Sequence, residues 1–219
     1  MQLSLRLSAI AEMVTEGNRL VDVGCDHGYL PVYLILEKKI PRAIAADVGK
    51  GPLSRAREHI HQYGLDNYIE TRLSDGLKEI GKEEGDTLVI AGMGGPLMEK
   101  ILTEGEETRK GFRELILQPQ SDIPHVRKFL FENGYHIVNE EMVLEEGKFY
   151  PLMKAVPGKA DREWTEEELE FGKFLLEKCH PVLRQYLERE LRIRKEILER
   201  LKDAPGASAG QRRQEVEEE

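Results

Sequence analysis

The residues best suited to chemistry cluster in short turns, each following an apolar segment. The first turn is V-G-C-D-H-G, where Gly24 and Gly28 bracket Cys25, Asp26 and His27. Glycine tolerates left-handed backbone angles and lets a ligand approach the main chain. A helix starting here offers N-terminal amides to a negative group such as a carboxylate. A dinucleotide fingerprint G-x-G-x-x-G beginning at Gly24 requires glycine at 26 and 29, where Asp26 and Tyr29 stand. A pyrophosphate would also meet the Asp26 carboxylate head on.

Asp47 follows Gly24 by 23 positions and closes the next apolar segment, with Val48 beside it. An acid so placed hydrogen-bonds ribose hydroxyls in nucleotide-binding sheets. A third turn, L-S-D-G-L, offers Ser74, Asp75 and Gly76; the carboxylate can accept from an adenine amino group while the glycine leaves room for a ring. Two acids beside a phosphate-averse turn favour S-adenosylmethionine, which lacks phosphate and carries an ammonium and a sulfonium. The fourth turn, I-A-G-M-G-G-P, supplies Ala91, Gly92, Met93 and Gly94. Three glycines exceed what a simple connection needs, so close ligand approach is expected. The Asp/Asn-Pro-Pro-aromatic motif of many amino-group methyltransferases is missing here. The fifth, L-Q-P-Q, places Gln118, Pro119 and Gln120 where amides could read a base edge. Plain turns remain the alternative for each. His27 is a possible base or a hydrogen-bonding spacer, and Cys25 a possible nucleophile or a packing residue.

These turns need a scaffold that ends several strands on one edge. Apolar runs at 19–24, 43–48, 69–75, 86–93 and 114–120 read as strands, separated by helical patterns at 29–39, 51–64, 96–105 and 123–134. Strands apolar throughout and alternating with helices predict a parallel sheet covered on both faces. Residues 135–156 read as two long strands joined at Glu145-Glu146-Gly147, and a helix is expected over 5–15. The predicted fold is α/β: a Rossmann-like class I methyltransferase sheet, mostly parallel with its last strand antiparallel. Pro157-Gly158 closes this cofactor-binding domain, 1–157. Residues 158–203 predict an antiparallel, coiled-coil-like helical hairpin turning at His180-Pro181, with leucines at 183, 187, 191, 198 and 201 in near-heptad spacing. Residues 204–219 read as a disordered tail.

The 219-residue chain carries a net charge of −9, and 33% of its residues are charged. That balance disfavours nonspecific nucleic-acid binding. Between Pro181 and Lys202, however, seven cations face four acids, including Arg189, Arg192 and Lys195. No apolar run suits a membrane span, and two cysteines support neither a disulfide framework nor a metal site. A cytoplasmic, metal-free protein is expected, with a monomer favoured.

Taken in order, the opening L-S-L-R-L-S-A-I-A-E-M-V, then V-D-V-G-C-D-H-G-Y-L-P, A-I-A-A-D-V-G-K-G-P, R-L-S-D-G-L, V-I-A-G-M-G-G, L-I-L-Q-P-Q and E-E-G-K-F-Y-P-L-M resemble the bacterial tRNA (adenine-22-N1)-methyltransferase family, TrmK. The resemblance spans roughly residues 1 to 203, although Gln120 stands where members more often carry Asn. It implies methyl transfer from S-adenosylmethionine to N1 of an adenine in tRNA, with the helical part gripping the RNA. On that basis Asp26 is the candidate catalytic carboxylate, favouring the cationic product, and it serves the cofactor alone in the other view. Tyr29, Met93 and Pro119 are the candidate walls for the base, and Arg189, Arg192 and Lys195 the tRNA contacts. A small-molecule methyltransferase and a catalytically silent cofactor-binding RNA-binding protein are the competing expectations.

Overall fold

The structure, a computed structural model, describes residues 1–202 and Arg213. Among these, seven strands form one sheet in the order β3-β2-β1-β4-β5-β7-β6. The strands are β1 (Leu20–Val23), β2 (Ala43–Asp47), β3 (Ile69–Leu73), β4 (Thr87–Met93), β5 (Glu114–Pro119), β6 (Tyr135–Glu145) and β7 (Lys148–Pro157). β1 to β5 pair in parallel, whereas β7 pairs antiparallel with both β5 and β6. The expected α/β class and terminal hairpin are therefore present. β3 stops at Leu73, two residues before the expected end, and the Ser74 amide makes the last ladder bond by donating to the Asp47 carbonyl at 2.9 Å.

Strand alternation splits the core between two faces. Leu20, Ala43, Ala45, Val89 and Ile116 meet α1 (Leu5–Met13), α2 (Tyr29–Leu36) and α3 (Lys50–Gln62). Val21, Val23, Ile44, Leu88, Ile90 and Leu117 meet α4 (Gly95–Glu104) and α6 (Ile123–Glu132) on the other face. Ser4 caps α1 by accepting from the Leu7 amide at 3.3 Å. A short helix, α5 (Glu106–Arg109), lies where the sequence pattern showed only a loop.

The C-terminal arm departs from a simple helical hairpin. Its first half is broken at Gly172 (φ 91°) into α7 (Glu166–Phe171) and α8 (Lys173–Glu177), followed by α9 (Pro181–Leu201). The break is imposed by a buried ion pair. Arg127 Nε donates to Glu140 Oε1 at 2.8 Å, and Arg127 Nη1 donates to the Leu169 and Glu170 carbonyls at 2.6 and 2.9 Å. Glu140 Oε2 accepts from the Phe174 amide at 3.1 Å. The ion pair thus satisfies carbonyls at the end of one helix and an amide at the start of the next, which only a backbone interruption permits. Leu175 and Leu183 pack with Met142 of β6, while Leu191 is 54% exposed. With α8 five residues long against 21 in α9, the leucine stripe builds no extended two-helix seam among the described residues. The residues expected to form a tail lie outside the described residues, Arg213 apart.

Candidate functional site

Parallel pairing brings the carboxyl ends of β1 to β5 to one edge, and strand order reverses between β1 and β4. A crevice opens at such a switch point. Here it is a cavity of about 640 Å³. One side is made by Asp22, Gly24, Cys25, Asp26 and Tyr29, and the floor by Ala91 and Gly92. The opposite wall comes from the chain start and the β6–β7 hairpin: Ser4, Arg6, Leu7, Glu145, Glu146 and Tyr150, with Gln120 between.

The turn after β1 is built on left-handed angles at Gly24 (φ 79°), Asp26 (φ 45°) and Gly28 (φ 67°). Gly24 and Cys25 both donate their amides to the Ala46 carbonyl, at 2.9 and 3.1 Å. A Cβ on Gly24 would collide with Met93 Cε. Met93, expected as a wall for the base, therefore lies over Gly24 and is not among the residues lining the cavity. At Gly28 the left-handed φ is what calls for glycine, since a Cβ there would meet Ala56 Cβ only in ordinary contact at 3.4 Å.

Asp22 is the most perturbed acid of the site. It is buried on β1, and desolvation pushes its carboxyl up to about 7, with the Asp47 charge adding to the effect and Arg6 opposing it. Burial likewise pushes the Cys25 thiol up, reinforced by Asp22, Asp47 and Asp26. A nucleophilic thiolate is thereby disfavoured, and Cys25 serves as a small buried liner of the cavity. Asp26 is exposed at the mouth, 3.1 Å from Arg55 Nη2 and 3.7 Å from His27 Nε2. Asp47 ends β2 as expected and accepts from the Gly49 amide at 2.8 Å.

Several sequence expectations are corrected. Gln118 is fully buried: its oxygen accepts from Arg6 Nη1 at 3.2 Å and from the Gly92 amide at 3.1 Å, while its amide donates to the Pro119 carbonyl at 3.0 Å. It braces the wall and cannot read a base edge. Pro119 is also buried, leaving Gln120 as the residue of that motif on the cavity. The Ser74 hydroxyl is committed to the Gly76 carbonyl (2.8 Å) and the Glu79 amide (3.1 Å). The room expected at Gly76 is taken by Ile101, whose Cγ2 would lie 3.0 Å from a Cβ there. Asp75 is exposed and paired with Lys78, whose hydrogen bond holds the carboxyl below the ordinary carboxylate range. Val48 is 70% exposed, and Gly94 caps α4 close to Ser121. The basic trio does not line the cavity. Arg189 stacks its guanidinium 5.6 Å from the Phe149 ring, next to the cavity residue Tyr150. Arg192 and Lys195 lie farther along α9 beside Glu188, Glu196 and Glu199.

Asp22, Arg6 and Tyr150 line the cavity although the sequence assigned none of them a role, and all three fall within the family-like stretches. The first had a signal, an acid inside the wholly buried strand L-V-D-V. Arg6 interrupts the apolar start of α1, and its guanidinium sits 5.5 Å from the Tyr150 ring centroid. Among the described residues no group of three or more His, Cys, Asp or Glu could hold a metal ion, and no helix is long and apolar enough to cross a membrane.

Residues 3–153 match a family model described as a methyltransferase domain. Over its whole length the chain is 34% identical to the tRNA (adenine(22)-N(1))-methyltransferase of Bacillus subtilis (strain 168), covering 92% of that protein. The chain belongs to this methyltransferase family. The crystal structure of the B. subtilis M1A22 tRNA methyltransferase TrmK matches with a TM-score of 0.84 at 32% identity, over 99% of this chain and 95% of that one. Streptococcus pneumoniae Sp1610, solved in complex with S-adenosyl-L-methionine, matches with a TM-score of 0.86 at 32% identity, over 99% of each chain. Because these matches extend well past residue 153, the C-terminal arm is part of the shared family fold.

Proposed function

We propose that the protein transfers the methyl group of S-adenosyl-L-methionine to N1 of adenine 22 in tRNA, acting in the cytoplasm. The observation that carries this is the two-sided cavity at the strand edge. Buried and rim acids form one side, and a guanidinium stacked on tyrosine forms the other. Its 640 Å³ falls in the range of cofactor and ligand pockets.

The residues present fit the cofactor. Asp22 and Asp47 offer negative charge toward a cation, and the bare Gly24 backbone allows close approach beside Met93. Gly24, Cys25, Asp47 and Ala91 would hold it. When bound, it supplies an electrophilic methyl group on a sulfonium. Adenine N1 has an in-plane lone pair and no proton, so the chain need not remove one and its main task is alignment. Tyr29 on one side, with Tyr150 and Gln120 facing it, would flank an entering base. The methylated base is cationic, so the excess of carboxylates around the cavity, Asp26 included, favours the transition state. Arg55 pairs with Asp26 and keeps its carboxylate at the mouth. Because N1 is stacked or paired in folded RNA, the base must be extruded to reach the cavity. Arg189, next to the Tyr150 wall, would meet the RNA backbone there.

The test is incubation of the purified protein with unmodified tRNA and methyl-labelled cofactor, followed by mapping of N1-methyladenosine. Label in RNA at adenine 22 is expected. Label confined to small molecules, or no transfer, refutes the proposal. Asp26→Asn should depress transfer far more than cofactor binding; equal losses in both would remove its catalytic role.

A further inference from the structure

Four rings run along the surface from the mouth of the cavity. His27 stacks on Tyr29 with centroids 5.3 Å apart, Tyr29 meets His59 edge-on at 4.8 Å, and His59 meets Tyr63 edge-on at 5.1 Å. Tyr29 lines the cavity, and the series leads away from it along α3. Tyr29 and Tyr63 are 43% and 39% exposed, so neither ring is consumed by the core. The His59 ring is pinned by a contact of 3.1 Å between its Nδ1 and the His27 carbonyl.

α3 is itself net positive in a chain of net charge −9, although Asp26, beside His27, pairs with its Arg55 at 3.1 Å. α3 carries Lys50, Arg55 and Arg57 against one acid, Glu58. Aromatic faces interleaved with cations suit unpaired nucleotides, whose bases stack on rings while their phosphates seek positive charge. A protein partner would favour a continuous apolar patch, which charged α3 side chains interrupt here. Extruding one base also deprives its neighbours of a stacking partner, and a ring series starting at the cavity mouth lies where those neighbours emerge.

We infer that the His27–Tyr29–His59–Tyr63 ring series is a stacking surface for the unpaired nucleotides flanking the target adenine, a role that rests on the tRNA function proposed above. It forms a second RNA contact on the cofactor side, separate from the C-terminal arm.

Tyr63 is the residue to change, because it lies at the far end of the series and outside the cavity. In fluorescence anisotropy with unmodified tRNA and S-adenosylhomocysteine present, Tyr63→Ala should weaken RNA binding on the order of tenfold, as for loss of one base–ring stack. The KM for tRNA should rise in parallel, with kcat at saturating tRNA and calorimetric cofactor affinity unchanged. Tyr63→Trp should restore binding and Tyr63→Leu should not. Rescue by Leu would mean that only apolar volume matters and would overturn the inference. Wild-type RNA affinity in a folded Tyr63→Ala protein would overturn it too, leaving methyl transfer intact. A wild-type protein that binds no tRNA would overturn both.

Discussion

Asp22 gives the most searching test of the cavity's electrostatics. Its carboxyl is buried at 6% exposure and raised from 3.8 to about 7, first by desolvation and then by the Asp47 charge. A raised value means that the folded chain holds the proton more tightly than the unfolded chain. The stability it contributes is therefore full below the unfolded value and is lost as pH rises through about 7. Each pH unit within that window costs about 1.4 kcal/mol. Asp22→Asn, which has no charge to bury, should gain about 2–3 kcal/mol on the wild type between about pH 5 and pH 7. Arrival of a cation reverses the preference. An ammonium beside the carboxyl favours its charged form, so cofactor binding should expel the proton.

For a group titrating near 7, the dissociation constant of S-adenosylhomocysteine at pH 6 should be roughly eightfold that at pH 7.5. This ligand keeps the ammonium and omits the sulfonium. Titration calorimetry in two buffers of different ionisation heat reads both the affinity and the proton released. His27, Arg6, Asp26 and Asp47 also carry or can carry charge near the site, so Asp22→Asn is the essential control. If the variant keeps the wild-type pH dependence and proton count, Asp22 does not face the cofactor's cation.

Three further outcomes follow from specific contacts. Gly24→Ala should cost about 1–2 kcal/mol from its left-handed angle alone, and displacement of Met93 should weaken cofactor binding; an unchanged melting curve would refute the packing account. Arg127→Met leaves Glu140 buried and unpaired, at a cost of about 3–5 kcal/mol. It should also open the segment around Gly172 to limited proteolysis, whereas the double change Arg127→Met with Glu140→Leu should recover most of the stability. Replacing Arg189, Arg192 and Lys195 by Gln should flatten the salt dependence of tRNA affinity by about 0.7–0.9 in log–log slope per lost phosphate contact. An unaltered slope would exclude the arm from backbone contact.

Turn chemistry was legible because it is local. The left-handed angles at Gly24 and Gly28, the strand-end position of Asp47 and the hairpin at Glu145-Glu146-Gly147 all follow from residue types within a few positions of one another. The break at Gly172 was not legible. Residues 165–177 carry a capping box and good helical spacing, and what interrupts them is an ion pair between α6 and β6, more than thirty positions upstream. Gln118 misled for a related reason. An amide beside proline reads as solvated, yet burial at the end of a central strand turned it inward to hold Arg6 and Gly92.

The same distinction explains why only half of the cavity could be read from motifs. The side proposed to hold the cofactor is made mainly by neighbouring residues in tight turns, whose constraints leave glycine and acid signatures. The far wall is made by contacts spanning most of the chain. Leu5 donates its amide to Glu145 Oε1 at 2.6 Å, across a sequence separation of 140, and Arg6 lies over Tyr150. Neither end requires an unusual residue: a carboxylate at a hairpin tip and an arginine in a first helical turn are ordinary on any surface. Their meaning comes from the antiparallel return of β7 beside β5, which carries the hairpin tip back to the strand edge where α1 begins. A site of this kind shows its cofactor in its turns, and its substrate only once the sheet order is known.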